Sequence, residues 1–275
     1  MLKLKPKAKR RGGDIYLLGA VVLLSLIGCV FIYSASSYSA ESTYGDAFYF
    51  VKKQAIGIAL GIVAMLFTAN FHYEKLKKIA WFFAIAAVIL LALVFVPFLG
   101  VENYGAKRWI GIGSLTIQPS EIAKFSFILF TAAYIGKDPE RTRSFKGILP
   151  VLGYGAVLCV LIILEPNMSI TACMGMLMIA MLFSGGMKIK HFACIVAPAL
   201  MLGVGLIFAE PYRLSRLSAF LNPWASPKGE GYQLIQSLYA LGSGGWFGVG
   251  LFNSRQKYAF LPFSESDFIL SVIGE

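Results

Sequence analysis

One aspartate, Asp267, stands immediately before an apolar run near the end of the sequence. A carboxylate at such a boundary can cap the first turn of a helix, and Ser264 or Ser266 could fill that role equally well. It can also take a proton or bind a divalent ion at a membrane surface. The spacing alone favours the capping role, because the chemical role also needs a cationic surface nearby.

Such a surface is available in the segment 210–267, which is rich in basic and aromatic side chains. Arg213 and Arg216 are three residues apart, so a helix would present both cations on one face. Arg255 and Lys257 follow further along the segment. A basic, aromatic surface of this kind suits a lipid whose headgroup carries phosphate.

A second basic group, Lys107 and Arg108, precedes Trp109. Arg and Trp both favour the headgroup zone of a bilayer, so these residues can serve as an interfacial anchor. Alternatively, the two cations hold an anionic headgroup, Arg through a bidentate fork and Lys as a point charge. Without further context the anchor is the better interpretation.

An acid and a base, Glu121 and Lys124, follow Pro119 at a spacing of three residues. Proline suits the first turn of a helix, and side chains at this spacing lie on one face and can pair. For Glu121 a structural ion pair and a functional role are equally good interpretations. Lys124 lies deeper in the apolar segment, where a charge is costly, and this favours a functional role.

These residues are carried by a chain of membrane character. Of the 275 residues, 57% are hydrophobic and 14% are charged, and the mean hydropathy is +0.71. These values exclude a disordered chain and argue against a soluble domain, which usually carries about 25% charged residues. The two histidines lack metal-site spacing, and no nucleotide-binding loop occurs.

Seven apolar stretches are long enough to cross about 30 Å of hydrocarbon. The seven stretches are 15–35, 54–71, 79–99, 119–136, 148–164, 168–186 and 191–209. An eighth run starts at Phe268 and reaches Glu275, so we expect a fragment of a longer protein. The sequence predicts an all-α, polytopic membrane helical bundle with seven complete transmembrane helices, the start of an eighth and a long extracytoplasmic loop with interfacial helices.

The positions of Lys and Arg predict the orientation of these helices. Six of the first thirteen residues are basic, and nine more basic residues fall within 70–78, 137–147 and 187–190. Short cytoplasmic loops are enriched in Lys and Arg, which places the basic N-terminus, 1–14, inside. The segments 100–118 and 210–267 then face the outside. The net charge of +11 is thus explained by the basic residues of the predicted cytoplasmic segments, and we expect no nucleic-acid partner.

The chain resembles the SEDS family (shape, elongation, division and sporulation), because it contains several short motifs of that family in the same order. The resemblance runs from the first apolar stretch to the last residue. The matching stretches are Gly105-Ala106-Lys107-Arg108-Trp109-Ile110, Gln118-Pro119-Ser120-Glu121-Ile122-Ala123-Lys124, Glu165-Pro166-Asn167, Phe220-Leu221-Asn222-Pro223-Trp224, Gly231-Tyr232-Gln233, Gly242-Ser243-Gly244-Gly245, Asn253-Ser254-Arg255-Gln256-Lys257 and Ser266-Asp267-Phe268-Ile269.

The resemblance implies a peptidoglycan glycosyltransferase that polymerises lipid II, a disaccharide-pentapeptide on undecaprenyl pyrophosphate, during cell division. It implies that Asp267 is the catalytic residue, either as a base or through a divalent cation such as Mg²⁺ or Mn²⁺. The expected substrate-binding residues are Lys107, Arg108, Glu121, Lys124, Arg213, Arg216, Arg255 and Lys257. The implied partners are a class B penicillin-binding protein and other division proteins, at the septum of a bacterial cytoplasmic membrane.

Two features depart from that family and two other functions stay open. SEDS proteins usually have about ten spans, and many carry Gln-Pro-Asp where this chain has Glu165-Pro166-Asn167. A lipid II flippase would need ionisable residues near the bilayer midplane and paired broken helices, and only Lys124 suggests this. A non-catalytic division scaffold would tolerate changes at Asp267 and at the outer cations.

Overall fold

The computed structural model describes residues 14–103, 106–112, 115–208 and 211–275. The helices in these ranges are α1 (Ile15–Tyr44), α2 (Tyr49–Ala69), α3 (Glu74–Leu93), α4 (Pro119–Lys137), α5 (Phe145–Leu164), α6 (Met168–Ser184), α7 (Ile189–Phe208), α8 (Pro211–Leu221), α9 (Tyr232–Gly244) and α10 (Ile269–Gly274). The strands are β1 (Gly100–Asn103), β2 (Ala106–Ile112) and β3 (Leu115–Ile117). The prediction of a largely helical chain is confirmed.

A helix occupies each of the seven predicted spans, α1 to α7. In the described part of the chain, α1, α2, α3 and α5 are long and apolar enough to cross a membrane, and α6 and α7 contain shorter apolar stretches. The number of crossings stays a prediction. The predicted basic segment 1–14 lies outside the described residues except for Asp14, whose carboxylate accepts hydrogen bonds from the Tyr16 and Leu17 amides and caps α1.

The region between α3 and α4 differs from the all-α prediction, because it forms a small antiparallel sheet in the order β1-β2-β3. Gly100 pairs with Ile110 and Gly111 with Thr116. The segment combines β-branched and aromatic residues with glycines and lacks the helical spacing of apolar side chains, a composition that suits strands and turns. The consequence is that Lys107 and Arg108 lie on a strand.

The described chain divides into two compact units, one within residues 72–206 and one formed by the described residues of 14–71 and 207–275. In the first unit, α3, α4, α5 and α6 pack around an apolar core in which Leu91, Phe127, Leu158 and Leu182 are fully buried. The Tyr154 hydroxyl, at 2.9 Å from the Ser126 oxygen, links α5 to α4. Burying apolar surface among helices is therefore what fixes the ends of α4 and α5, where the candidate site residues lie.

In the second unit, α1 packs on α2, and α9 packs on α10. Leu261 and Val272 are buried against Ala35 of α1. The helix α9 ends within the glycine-rich motif Gly242-Ser243-Gly244-Gly245. Of the apolar side chains of α9, Ile235 is buried while Leu238 and Leu241 are exposed.

Small residues let α9 and α10 approach closely. The Ser237 and Ser271 hydroxyls are 2.6 Å apart, and a Cβ added at Gly244 would overlap the carbonyl oxygen of Gly274. A Cβ added at Gly242, on the same helix, would meet nothing within 4 Å. The two glycines therefore differ in packing but share the same helical environment.

We expect Gly244→Ala to lower the free energy of unfolding by about 1–3 kcal/mol, because the new methyl group would overlap a backbone atom that cannot rotate away. Gly242→Ala is the matched control, and it should be neutral or stabilising by up to about 1 kcal/mol because alanine favours helix. The thermal unfolding midpoint in detergent measures both. Equal midpoints for the two variants would contradict the close approach.

Candidate functional site

Asp267 lies at the end of a folded turn that is attached to α1. The amides of Ser266 and Phe268 both donate to the carbonyl of Phe263, at 3.1 and 3.2 Å. The Ser264 hydroxyl donates to the carbonyl of Ala35 at 3.4 Å. These contacts hold the backbone on both sides of Asp267, so the point from which its side chain projects is fixed.

The Asp267 carboxylate itself is exposed and does not cap α10. The residue at the N-cap position of α10 is Phe268, and the described part of the chain shows no side-chain capping hydrogen bond there. Among the described residues, Asp267 accepts no hydrogen bond and forms no ion pair. The capping role that the spacing favoured is therefore wrong, and the carboxylate is available for other chemistry.

Two of the predicted cations in the same unit are exposed. Arg216 lies on α8, where its guanidinium is 4.6 Å from the ring centre of Tyr212 and 3.8 Å from a carboxylate oxygen of Glu230. Arg255 is exposed, and its guanidinium has no partner in the described part of the chain. Arg213 lies on the same helix as Arg216, as predicted, but its side chain lies outside the described residues.

Lys257 corrects the prediction that it belongs to the exposed cationic surface. Its side chain is only 5% exposed, and its ammonium group donates to the carbonyl oxygen of Phe252 at 2.7 Å. Burial lowers the pKa of Lys257, and the negative charge of Glu275 acts in the opposite direction. A lysine held in this way stabilises the loop around it and does not offer its charge to a ligand.

Glu275 is the residue that the sequence reasoning missed. It is 5% exposed, and its carboxylate accepts hydrogen bonds from Ser254, Arg255 and Gln256. An acid within the apolar run that begins at Phe268 was the available signal, because ionisable residues in such runs are costly and need partners.

In the other unit, the sheet positions Lys107 and Arg108. Lys107 is exposed and lies opposite Glu102 in the strand register. The guanidinium of Arg108 donates to two backbone carbonyl oxygens, that of Glu165 at 3.2 Å and that of Pro166 at 2.6 Å. The Arg108 guanidinium therefore already holds the turn between α5 and α6. Binding of an anionic headgroup by Arg108 stays a prediction, and the headgroup would share the guanidinium with these two carbonyls.

The side chain of Glu165 lies in that turn and is 1% exposed. Neither carboxylate oxygen has a hydrogen-bond partner among the described residues. Burial raises the pKa of Glu165 to about 7, although the charge of Arg108 acts against the increase. An isolated carboxylate is costly to bury, so the group keeps its proton at a higher pH than a solvated glutamate does.

Glu121 and Lys124 form the ion pair that their spacing predicted. The Lys124 ammonium is 2.9 Å from a Glu121 carboxylate oxygen, and the side chains are 26% and 54% exposed respectively. Pro119 and Ser120 are buried at the start of α4, so the pair lies on the first two turns of a firmly packed helix. Because both side chains are partly exposed, a ligand can reach the pair. The structural and the functional interpretations both stay open.

The structure thus gathers the predicted residues into separate groups. One unit holds Asp267 with Arg216, Arg255 and the buried Lys257, and the other holds Arg108 beside the Glu165 turn together with the Glu121–Lys124 pair. No group of three or more His, Cys, Asp or Glu side chains that could hold a metal occurs in the described ranges.

Comparison with known sequences places the chain in one family. The profile of the FtsW/RodA/SpoVE family, described as "Cell cycle protein", matches residues 15–275. Stage V sporulation protein E of Bacillus subtilis is 37% identical over 97% of this chain and 73% of its own length. A protein of Alcanivorax borkumensis named "Probable peptidoglycan glycosyltransferase FtsW" is 40% identical over 98% of this chain and 70% of its own.

Solved structures give a similar result. A chain from a structure described as "Structural coordination of polymerization and crosslinking by a peptidoglycan synthase complex" matches 84% of this chain with a TM-score of 0.65 and 25% identity. The match spans 65% of that chain, just under two thirds of it. The rod-shape-determining protein RodA of Thermus thermophilus matches 95% of this chain with a TM-score of 0.57 and 20% identity, which shows the shared fold. This chain is therefore a multi-pass membrane protein that belongs to the FtsW/RodA/SpoVE family.

Proposed function

We propose that this chain acts as a peptidoglycan glycosyltransferase, which polymerises lipid II into glycan strands on the outer face of the cytoplasmic membrane during cell division. The names of the relatives support the enzyme class. The observation that carries the proposal is the Asp267 carboxylate, which is exposed and unpaired in the described chain and has a backbone held by hydrogen bonds.

The proposed reaction joins two lipid-linked sugars. A hydroxyl of the acceptor sugar attacks the anomeric carbon of the donor, a new glycosidic bond forms, and the bond to the undecaprenyl pyrophosphate breaks. The attacking hydroxyl must lose a proton, and Asp267 is the carboxylate placed to accept it. The pyrophosphate leaves with both electrons of the broken bond, so its negative charge grows during the step.

Exposed cations can stabilise that growing charge. Arg216 and Arg255 are exposed cations in the unit of Asp267 and meet this requirement there. Lys107 is an exposed cation of the other unit, and its role in substrate binding stays a prediction. In that unit, Glu121 and Lys124 are proposed to contact substrate as a pair, since the half-exposed Glu121 carboxylate can accept hydrogen bonds from a sugar or peptide. Lys257 and Arg108 hold backbone carbonyls, each within its own unit.

Asp267 could serve as one ligand of a divalent cation, because its carboxylate is exposed. Mg²⁺ usually binds through one or two protein carboxylates together with substrate phosphates and water molecules. Asp267 supplies one exposed carboxylate, and the pyrophosphate of the substrate would supply the other charged ligands. Such an ion would add positive charge next to the leaving group, and Asp267 would hold it.

The setting of the enzyme is part of the same proposal. A class B penicillin-binding protein is the proposed partner, since the matched structure is described as a synthase complex that coordinates polymerization and crosslinking. We place the activity at the division septum with the N-terminus in the cytoplasm, on the basis of the family and of the basic residues in the short predicted inside loops.

We expect Asp267→Ala and Asp267→Asn to reduce polymerisation by roughly 100-fold or more, the range typical for loss of a general base. The assay uses purified protein with fluorescent lipid II and its class B penicillin-binding protein, and glycan strands are resolved by gel electrophoresis. Glu265→Gln, two residues away, is the matched control and should retain activity. Strand synthesis by the Asp267 variants at the rate of the unsubstituted protein would exclude Asp267 as the base. No strand synthesis by the unsubstituted protein would instead favour a scaffold or a flippase.

The proposed orientation can be tested by labelling single cysteines in a variant that lacks Cys29, Cys159, Cys173 and Cys194. In intact cells, we expect Ser266→Cys to react with a membrane-impermeant maleimide and Lys190→Cys to react only after the membrane is opened. Both side chains are exposed, so accessibility in the protein does not distinguish them. The reverse labelling pattern would place Asp267 in the cytoplasm, away from the proposed reaction.

Glu165 has a different role in the proposed enzyme. Its pKa of about 7 lies above the ordinary value of 4.5 because the carboxyl is buried. Between these values the unfolded chain has lost a proton that the folded protein retains, so the free energy of unfolding falls as the pH rises. Below about pH 4.5 both states carry the proton, and the effect disappears. Glu165 is thus a neutral structural residue at acidic pH.

We therefore expect Glu165→Gln to raise the thermal unfolding midpoint relative to the unsubstituted protein, with a gain that grows from pH 5 to pH 8. The corresponding gain in the free energy of unfolding is at most about 3 kcal/mol for a pKa change of this size. Glu140→Gln, at an exposed carboxylate, controls for the general effect of pH on unfolding. A difference that stays constant across this range would contradict the raised pKa.

A further inference from the structure

The loop between α9 and α10 contains a cationic segment whose shape depends on a single acid. The loop 248–257 has no regular secondary structure in its central part, and it leaves backbone donors and acceptors without helical or strand partners. Gly250 and Phe252 both have positive φ angles, +103° and +69°. For Phe252 this conformation is unfavourable, because a side chain crowds the backbone there. Something outside the loop must hold it.

The Glu275 carboxylate supplies most of that support. Its Oε2 accepts hydrogen bonds from the Ser254 hydroxyl at 2.6 Å and from the Gln256 amide at 3.2 Å. Its Oε1 accepts from the Arg255 amide at 3.0 Å and from the Ser243 hydroxyl at 3.3 Å. Four donors therefore converge on one side chain, and three of them belong to consecutive residues of the loop.

The backbone of Glu275 adds a fifth contact, since its carbonyl oxygen accepts a hydrogen bond from the Val249 amide at 2.6 Å. Glu275 thus contacts the loop near both of its ends. The carboxylate also ties the loop to α9 through Ser243, which lies in the last turn of that helix. Hydrogen bonds to an ionised acceptor are stronger than those between neutral groups, so a carboxylate suits this position.

Lys257 completes the arrangement from within the loop. Its amide donates to the Ser254 hydroxyl at 3.3 Å, and its ammonium group donates to the carbonyl of Phe252, the residue in the unfavourable conformation. The Ser254 hydroxyl therefore accepts from Lys257 while it donates to Glu275. The burial of Lys257 and the placement of Ser254 depend on each other.

We infer that Glu275 is a positioning residue, whose carboxylate folds the loop 248–257, buries Lys257 and fixes the backbone from which the exposed Arg255 side chain projects. An effect on lipid II binding through Arg255 would rest on the proposed function. The folding of the loop requires no activity, so the two can fail separately.

The experiment measures how fast individual lysines of the purified protein in detergent react with a water-soluble acetylating reagent, by quantitative mass spectrometry. Lys228 is exposed and serves as the internal standard. In the unsubstituted protein we expect Lys257, at 5% exposure, to react at least tenfold more slowly than Lys228. In Glu275→Ala the acetylation rate of Lys257 should rise to within about twofold of the rate of Lys228, because all four side-chain hydrogen bonds are lost.

Three further variants separate the carboxylate from general loosening of the helix. Ser271→Ala removes the contact of α10 with α9 at Ser237 but touches nothing in the loop, so Lys257 should stay protected. Glu275→Gln keeps one acceptor oxygen at the same length and should restore partial protection. Ser254→Ala removes the shortest hydrogen bond to Glu275 and should expose Lys257 even if Glu275→Ala does not fold.

Two results would overturn the inference. One is continued protection of Lys257 in Glu275→Ala or, should that variant not fold, in Ser254→Ala. The other is an equal loss of protection in Ser271→Ala, which would assign the effect to packing of α10 and not to the carboxylate. If the unsubstituted protein makes no glycan strands from lipid II, that result counts against the proposed function. The acetylation result for Lys257 would still test the role of Glu275.

Discussion

The hydrocarbon core of a bilayer offers no hydrogen-bond partner, and this constraint governs where polar groups can lie in the chain. Helices satisfy their own backbone, so the apolar segments form helices whose outer faces stay exposed in the isolated chain, as on α1 and α2. The ionisable side chains with assigned partners lie near helix ends or in the segments between helices. The chemistry of this protein is therefore concentrated at the ends of its helices.

The segments between helices face the opposite problem, because they have backbone carbonyls that no regular structure satisfies. Two of the predicted binding cations are used for this purpose. Arg108 donates to the carbonyls of Glu165 and Pro166, and Lys257 donates to that of Phe252. A cation in a membrane protein loop can thus be structural even when its motif indicates a ligand. Exposure, not residue type, separates Lys107, Arg216 and Arg255 from the buried Lys257 as cations that an anion can reach.

The sequence predicts the helices well because their signal is local. Long apolar runs predict α1, α2, α3 and α5, and the three-residue spacing of Glu121 and Lys124 predicts their ion pair. The sheet was missed because three short strands carry a weak periodic signal between two strong helical ones.

The site was predicted less completely, because its geometry depends on contacts between distant residues. The turn that holds Asp267 bonds to Ala35, more than two hundred residues away in sequence, and no local pattern signals such a contact. The Arg108 contact with the Glu165 turn is of the same kind. The family motifs identified which residues to consider, whereas their burial and partners required the folded structure.

The carboxylates of this chain illustrate how one functional group can remain reactive among several that do not. Glu121 is paired with a lysine, Glu165 is buried with a raised pKa, and Glu275 is surrounded by four donors. Glu121 is balanced by the charge of Lys124, and the Glu275 carboxylate is occupied by its donors. The raised pKa of Glu165 favours protonation, but this carboxyl is 1% exposed and a large substrate cannot reach it. Asp267 is exposed, has no partner in the described chain and lies on a backbone fixed by its neighbours. A base that must reach a large, lipid-linked substrate needs that combination, and this is the physical reason to assign the proposed proton transfer to Asp267 and not to the three glutamates.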